Sequence, residues 1–148
     1  MKAVIQNKKI KQNKKSTNIE NPTAYLSKHP VWMFHKCDLD FEKWSIRNPN
    51  SFDKILSKLI AYENMTWNEI QSASGGKAPG NGTNNHFENI TQMSKEAQKR
   101  AEDIHLTEDQ LFSLRLSGKE RLYGILDNGI FLIIWYDSEH EVYPSKTK

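Results

Sequence analysis

Residues 111–143, LFSLRLSGKERLYGILDNGIFLIIWYDSEHEVY, decide the fold that this sequence predicts. Apolar and polar residues alternate over 111–117, which is typical of a β-strand with one buried face. Asn128-Gly129 is the strongest short hairpin signal, because both residues tolerate the positive φ of a type I′ turn. Residues 130–136 are almost entirely apolar, as expected of a strand covered on both faces. We therefore predict a three-stranded antiparallel meander with two tight turns.

The length of each turn determines which side chains of the meander are neighbours. A two-residue loop at Asn128-Gly129 sets Leu122 opposite Trp135, and a first turn of two or four residues sets Arg115 opposite Leu122. One sheet face then carries Arg115, Leu122 and Trp135 in one row, with Arg121 on the other face. A three-residue first turn would invert the first strand, and the sequence leaves this alternative open.

Two helices are predicted over residues 51–73. The first has an apolar stripe at helical spacing, which Asn50 or Ser51 can cap. The members of this stripe are Phe52, Ile55, Leu56, Leu59 and Ile60. Thr66 and Glu69 have the spacing of a capping box, which indicates that a second, short helix begins there.

The remaining signals complete the predicted fold. Ser94 is placed to cap a helix over 94–105, and residues 107–110 repeat the capping-box spacing, which predicts one more helical turn. Weaker strand signals are at 31–34 and 86–90. Together the elements predict an α+β fold, with helices packed on one face of a small antiparallel sheet that ends in the C-terminal three-stranded meander.

The positive charge of the chain is concentrated at its N-terminus. The formal net charge is +3, yet residues 1–20 hold six lysines and one acid, so residues 21–148 carry a net charge of −2. The lysine-rich stretch has too little apolar surface to repay the entropy of ordering. We therefore predict a basic disordered tail over 1–21 and a single α+β domain over 22–148. The tail suits phosphate contacts, whereas the domain is not a basic nucleic-acid binder by charge count.

The composition also indicates in which cellular compartment the protein is expected. No apolar run approaches the roughly 20 residues that span a bilayer, and no apolar core of a secretory signal is present. The single cysteine, Cys37, cannot form an internal disulfide and is typical of a reducing compartment. The sequence therefore predicts a cytoplasmic protein that does not bind a membrane.

Part of the meander follows a known layout. A strand ending in Leu-Arg is followed by a Gly-containing turn, a strand beginning with Arg, a hairpin, an aliphatic strand, and a His shortly before a Tyr. The residues at these places are Leu114, Arg115, Gly118, Arg121, Tyr123, His140 and Tyr143. In this layout the chain resembles the C-terminal half of RelE/ParE-type toxins. The resemblance implies a bacterial, cytoplasmic toxin that cleaves mRNA and is held in check by an antitoxin protein.

The resemblance also implies four site residues, Arg115, Arg121, His140 and Tyr143. RNA cleavage of this kind needs a base for the 2′-hydroxyl proton, cations for the charge that builds on phosphate, and an acid for the leaving oxygen. The two arginines could stabilise the phosphate, because a guanidinium forks onto two oxygens. His140 could be the acid or the base, and Tyr143 could stack on a nucleobase or assist proton transfer. Such a ribonuclease requires no metal or cofactor.

Two other interpretations remain open. The same sheet and the lysine tail would also suit a non-enzymatic protein- or nucleic-acid-binding module of a mobile element. The end of the chain resembles a group of small bacterial proteins of unknown activity, a match that carries no mechanism. The matching residues are Trp135, Asp137, His140, Val142, Tyr143 and Pro144.

A metal site is the last alternative. His35 and Cys37 would share one face of a strand, as residues two apart do. A structural zinc site needs a second ligand pair. Only His86, His105 and His140 remain to supply it, without a recognisable spacing. We therefore expect neither a metal nor a cofactor.

Overall fold

The chain has an α+β architecture in which a mixed sheet carries helices on both faces. The computed structural model describes residues 21–73 and 84–144. The predicted disordered tail lies outside these residues except for Asn21, so it stays a prediction. None of the helices in the described ranges combines the length and apolar character that a membrane crossing requires.

Three helices lie within the described residues: α1 (Pro49–Tyr62), α2 (Trp67–Ser72) and α3 (Lys95–Asp103). Single 3-10 turns are formed by Ala24–Ser27, Glu42–Trp44 and Ile90–Gln92. The predicted capping box of α2 is confirmed, since Thr66 N donates to Glu69 Oε1 (2.9 Å) and Glu69 N donates to Thr66 Oγ1 (3.3 Å). The Ser94 cap of α3 is also confirmed, because Ser94 Oγ accepts from Ala97 N at 3.1 Å.

The predicted cap of α1 is wrong. The helix is capped by Asn48, whose side chain accepts from Asn50 N at 2.9 Å, rather than by Asn50 or Ser51. Pro49 then occupies the first helical position, where its missing N–H has no intrahelical partner to lose.

The helical turn predicted over 107–110 is also wrong. His105 adopts a φ of 61°, which ends α3. Asp109 O then accepts from Ile90 N at 2.9 Å, so the segment runs along the turn at Ile90–Gln92 and leads directly into the next strand.

Five strands form the sheet within the described residues: β1 (Val31–Met33), β2 (His86–Asn89), β3 (Gln110–Ser117), β4 (Glu120–Asp127) and β5 (Ile130–Asp137). Their order is β1-β5-β4-β3-β2. The predicted meander β3-β4-β5 is confirmed, as are the two strands that precede it. β1 pairs with β5 in parallel, however, so the sheet is mixed rather than antiparallel.

Both faces of the sheet are apolar, and this explains why helices cover both. Leu114 and Leu122 belong to the core cluster that includes the buried residues of α1 and α2. Tyr123, the next residue after Leu122, belongs to the opposite cluster with Ala97 and Ala101 of α3. The α+β class is confirmed, but the prediction that all helices lie on one face is wrong, because a strand buried on both sides needs a layer on each.

The predicted apolar stripe of α1 is only partly buried. Ile55 and Leu59 are 0% and 2% exposed, whereas Phe52, Leu56 and Ile60 are 39%, 42% and 56% exposed. The contact line of the helix runs instead through Ile55, Leu59 and Tyr62, at i, i+4 and i+7. α1 therefore packs on a narrower line than the sequence pattern predicts.

The hairpin turn at Asn128-Gly129 is confirmed, with φ values of 53° and 90°. The register beyond it is not as predicted, because the β4–β5 pairing shifts between Tyr123 and Gly124. A Cβ added to Gly124 would lie 2.2 Å from Leu132 O, so the two strands approach too closely there for any other residue. The shift sets Tyr123, rather than Leu122, opposite Trp135.

Candidate functional site

Arg115 and Arg121 are directly opposite each other on β3 and β4. A shift in the β3–β4 pairing between Arg115 and Ser117 produces this match, so the row predicted from the sequence, with Arg115 opposite Leu122, is wrong. The Arg115 amide and carbonyl both point away from β4, towards Asn85 Oδ1 (2.7 Å) and Tyr62 Oη (2.6 Å). Opposed residues that do not exchange backbone bonds lie about 4.5 Å apart at Cα and bring their side chains closest. Both arginines therefore stand on the same sheet face as neighbours.

These two guanidinium groups lie near the buried carboxylate of Asp137, which is opposite Arg121 on β5 and whose negative charge favours the charged form of Arg121. Neither forms an ion pair with a carboxylate of the described residues. Arg121 Nη1 donates to the carbonyls of Gly118 (2.7 Å) and Glu120 (3.0 Å), and neither bond uses Nε or Nη2. Burial lowers the pKa of Arg121, and the charge of Arg115 lowers it further. Arginine nevertheless stays charged in proteins, so the pair carries two positive charges, which the nearby charge of Asp137 offsets in part.

Arg115 also has an unsatisfied donor. Its Nη1 donates to Asn84 Oδ1 at 3.2 Å, but its Nε is buried and has no acceptor among the described residues. A buried donor without a partner costs about 1–3 kcal/mol, more for a charged group.

A histidine and a glutamate lie on the same face, on the neighbouring strand β2. His86 is opposite Ser113 and Glu88 is opposite Leu111, so the two side chains point to one side. His86 Nε2 donates to Glu88 Oε2, and their side chains are 41% and 13% exposed. The His86 ring can be reached from solvent, while the carboxylate that orients it is largely buried.

Tyr143 joins this pair from the C-terminal end of the described chain. It lies near Glu88, whose negative charge raises the pKa of Tyr143. His86 and Tyr143 thus both lie next to the Glu88 carboxylate at the edge of the sheet.

Ser113 and Tyr123 form the floor between the arginines and the histidine. They are opposite each other on β3 and β4, and both are buried. Burial raises the pKa of Tyr123, so this hydroxyl stays neutral. Arg115 lies two residues beyond Ser113, the partner of His86, which places it diagonally across from His86.

The segment that follows β5, residues 138–144, packs against this face of the sheet. The buried carboxylate of Asp137 accepts from Glu139 N (3.3 Å) and Val142 N (2.7 Å), which holds a tight turn. Val142 O accepts from Ser94 N at 2.9 Å, so the segment is also fixed to the start of α3. His140 lies in this turn with a φ of 61°.

Three of the four residues implied by the resemblance therefore lie around one surface. Arg115 and Arg121 are adjacent, and Tyr143 lies near Glu88, which is on the same face. His140 follows Asp137, the partner of Arg121 on β5, but within residues 21–73 and 84–144 no hydrogen bond joins it to either arginine. We call His86, Glu88, Arg115, Arg121 and Tyr143 the polar cluster.

His86 and Glu88 were missed by the sequence analysis. The alternating pattern His-Phe-Glu-Asn in a strand was the available signal, because it puts His86 and Glu88 on one face. The pairing of β2 with β3, which brings that face to the arginines, is not encoded in any local pattern.

The metal alternative has no support in this part of the molecule. No group of three or more His, Cys, Asp or Glu side chains is placed to hold a metal ion among the described residues. His35 and Cys37 therefore find no further ligand there, and burial raises the pKa of the Cys37 thiol to about 11.

The polar cluster combines two fixed cations with an imidazole that is oriented by a carboxylate. Such a set can hold an anion and exchange a proton with it. Roles for these residues must come from this geometry, because no family model, no curated protein and no solved structure matches the chain.

Proposed function

We propose that the polar cluster binds RNA and cleaves its phosphodiester bonds. One observation carries this proposal: Arg115 and Arg121 are adjacent, lack a carboxylate partner among the described residues, and share a sheet face with the His86–Glu88 pair. Two adjacent guanidinium groups that form no ion pair among the described residues suit a phosphate, which each can bind through two oxygens. A histidine next to them supplies the proton transfer that separates cleavage from binding.

The chemistry follows from the positions of these groups. His86, oriented by Glu88, takes the proton from the 2′-hydroxyl, and the 2′-oxygen then attacks phosphorus. The bond from phosphorus to the 5′-oxygen breaks, and the 5′-oxygen takes a proton, a role we assign to the Tyr143 hydroxyl. The products are a 2′,3′-cyclic phosphate and a 5′-hydroxyl. Arg115 and Arg121 stabilise the extra negative charge on phosphate in the transition state.

This proposal moves the acid–base role from His140 to His86. The resemblance to RelE/ParE-type toxins assigns that role to His140, whereas the carboxylate contact that orients an imidazole belongs to His86. The resemblance alone extends the proposal to a cytoplasmic toxin whose active face is covered by an antitoxin.

Cleavage of a short RNA by the full-length protein tests this function. A matched oligonucleotide with 2′-deoxynucleotides throughout serves as the uncleavable control, and a chelator in all reactions removes divalent metals. We expect cleavage of the RNA only, with cyclic phosphate ends. Arg115→Ala and Arg121→Ala should each slow cleavage by about 10²–10³-fold, the usual loss for one transition-state donor. Arg47→Ala, which removes an exposed arginine before α1, is the control.

Two outcomes would contradict this function. Equal cleavage of the deoxynucleotide strand would exclude the 2′-hydroxyl as the nucleophile. Binding without cleavage, abolished by both arginine variants, would favour the alternative that the chain is a non-enzymatic nucleic-acid-binding module.

A further inference from the structure

Arg115 lies in the part of β3 that is not paired with β2. The β2–β3 pairing runs from Asn89 opposite Gln110 to His86 opposite Ser113 and ends two residues short of Arg115. Its backbone amide and carbonyl would therefore be exposed at an unpaired sheet edge.

Two side chains occupy the place of the missing strand. Asn85 Oδ1 accepts from Arg115 N at 2.7 Å, and the Tyr62 hydroxyl donates to Arg115 O at 2.6 Å. The Tyr62 hydroxyl also lies 3.5 Å from Asn85 Oδ1, but its one proton serves the shorter bond. Both polar groups of the Arg115 backbone are thereby satisfied.

These side chains are themselves held by helices. Tyr62 is the last residue of α1 and is buried, and burial raises its pKa, so the hydroxyl remains a donor at neutral pH. Asn85 is 1% exposed, and its Nδ2 donates to Ile70 O of α2 at 2.9 Å. The β3 backbone at Arg115 is thus tied to both helices on the opposite face of the sheet.

The hydrogen bonds from Tyr62 and Asn85 fix the backbone of β3 at a point where its pairing with β4 is irregular. The pairing of β3 with β4 shifts between Arg115 and Ser117, and such irregularities increase local twist and re-aim side chains. A small rotation of the backbone moves the far end of a long arginine side chain most. A guanidinium must be held closely to favour a transition state.

We propose that Tyr62 and Asn85 are positioning residues that hold the Arg115 guanidinium against the phosphate. The inference rests on the proposed function, since it assigns Arg115 a phosphate to bind. It predicts that these two residues act through Arg115 and not through the stability of the fold.

A double-mutant cycle tests this inference with the full-length protein. Tyr62→Phe removes one hydroxyl and keeps the ring, and Arg115→Ala removes the group to be positioned. The probe is the 2′-deoxy oligonucleotide, which binds without being cleaved. We expect Tyr62→Phe to weaken binding about threefold to tenfold, the usual range for one hydrogen bond, and to have no further effect in the Arg115→Ala background. Tyr25→Phe, which removes a hydroxyl bonded to Gln71 at the other end of the molecule, is the control.

A second measurement keeps the inference separate from the proposed function. Nuclear magnetic resonance reports the Arg115 Nε–H group without any ligand, and we expect its exchange with water to be slow in the wild type and faster in Tyr62→Phe and in Asn85→Ala. If the wild type binds no nucleic acid but this change is seen, the function fails and the positioning role stands. Unchanged exchange, or equal weakening of binding in both arginine backgrounds, would overturn the inference.

Discussion

Asp38 receives three hydrogen bonds on one buried carboxylate. Arg100 donates from Nε and Nη2 at 2.8 and 2.7 Å, and Trp135 Nε1 donates at 2.9 Å. Burial alone would raise the pKa of Asp38, but the bonds from Arg100 and Trp135 outweigh it and hold the pKa below its usual value. This single residue fixes the loop before α1 to both α3 and β5.

Asp38→Asn should lower the free energy of unfolding by about 3–5 kcal/mol at neutral pH, because Arg100 loses its buried partner. The carboxylate has a lower pKa in the folded than in the unfolded chain, so its contribution is complete above the unfolded value. It is lost as the pH falls through the folded value. Urea unfolding at pH 7 and near pH 3 should therefore show a large gap from the wild type that narrows in acid. The exposed Asp40→Asn should change stability by less than about 0.5 kcal/mol, and an equal gap at both pH values would refute the prediction.

His86 and His140 are the two candidates for the acid–base group, and substituting each of them shows which one is needed for cleavage. His86→Ala should slow RNA cleavage by about 10²–10⁴-fold, the usual contribution of such a group. His140→Asn should retain activity close to that of the wild type, since asparagine tolerates the positive φ of that turn. The exposed His35→Ala is the control, and circular dichroism verifies folding. Loss of activity in His140→Asn alone would restore the assignment made from the sequence.

The sequence could indicate which types of residue form the site, but not their arrangement. The resemblance selected Arg115, Arg121 and Tyr143, yet the predicted register put the two arginines on opposite faces. Strand alternation and turn length predict register only while pairing is regular. The pairing shift after Arg115 is a property of two strands together, so no local pattern reveals it.

β5 is a central strand, with β1 on one side and β4 on the other. Ile133 and Ile134 are buried in the cores on opposite faces, at 0% and 1% exposure. The near-continuous apolar run of this strand therefore corresponds to burial on both sides, as the sequence predicted.

Ile134→Ala should cost about 2–5 kcal/mol, because it leaves a cavity as well as losing transfer free energy. Leu56→Ala, on the exposed side of α1, should cost less than about 1 kcal/mol although the sequence places Leu56 in the same apolar stripe as Ile55. Denaturant unfolding of both variants makes the comparison. Similar costs at the two positions would show that the outer side of α1 is covered in solution.

Elements with a local signal were predicted well, and pairings between distant elements were not. The capping box of α2, the Ser94 cap and the turn at Asn128-Gly129 all follow from residues next to each other in the chain. The parallel pairing of β1 with β5 joins Val31 to Ile130, and nothing near either residue specifies the other. The mixed sheet and its two covered faces follow from that pairing and from helix placement, so only the α+β class was accessible from the sequence.

At the scale of the whole molecule, most of the net positive charge lies in the N-terminal residues and not in the domain that carries the polar cluster. Residues 1–20 carry six lysines, while residues 21–148 have a net charge of −2. Nucleic acid would then be attracted mainly by the N-terminal lysines and held for chemistry by the polar cluster.

Salt dependence separates these two contributions. Replacing the six N-terminal lysines with glutamine should flatten the dependence of RNA affinity on salt, by about 0.7 in slope for each lysine that contacts a phosphate of a single strand. Cleavage at saturating RNA should stay unchanged. Arg115→Ala should show the reverse pattern, with slow cleavage at saturation and most of the salt slope retained. A cleavage defect in the lysine variant at saturation would place part of the active site in the N-terminal segment.

The parallel pairing of β1 and β5 has a consequence for folding during synthesis on the ribosome. A ribosome adds about 5–20 residues each second, so Val31 waits about 5–20 s before Ile130, its partner, has been made. During that time Trp32 has no Phe131 ring to pack against. Of the described strands, β1 is thus synthesised first but paired only after β5 has been made, and until then its Val-Trp-Met stretch is an unpaired apolar segment of the nascent chain.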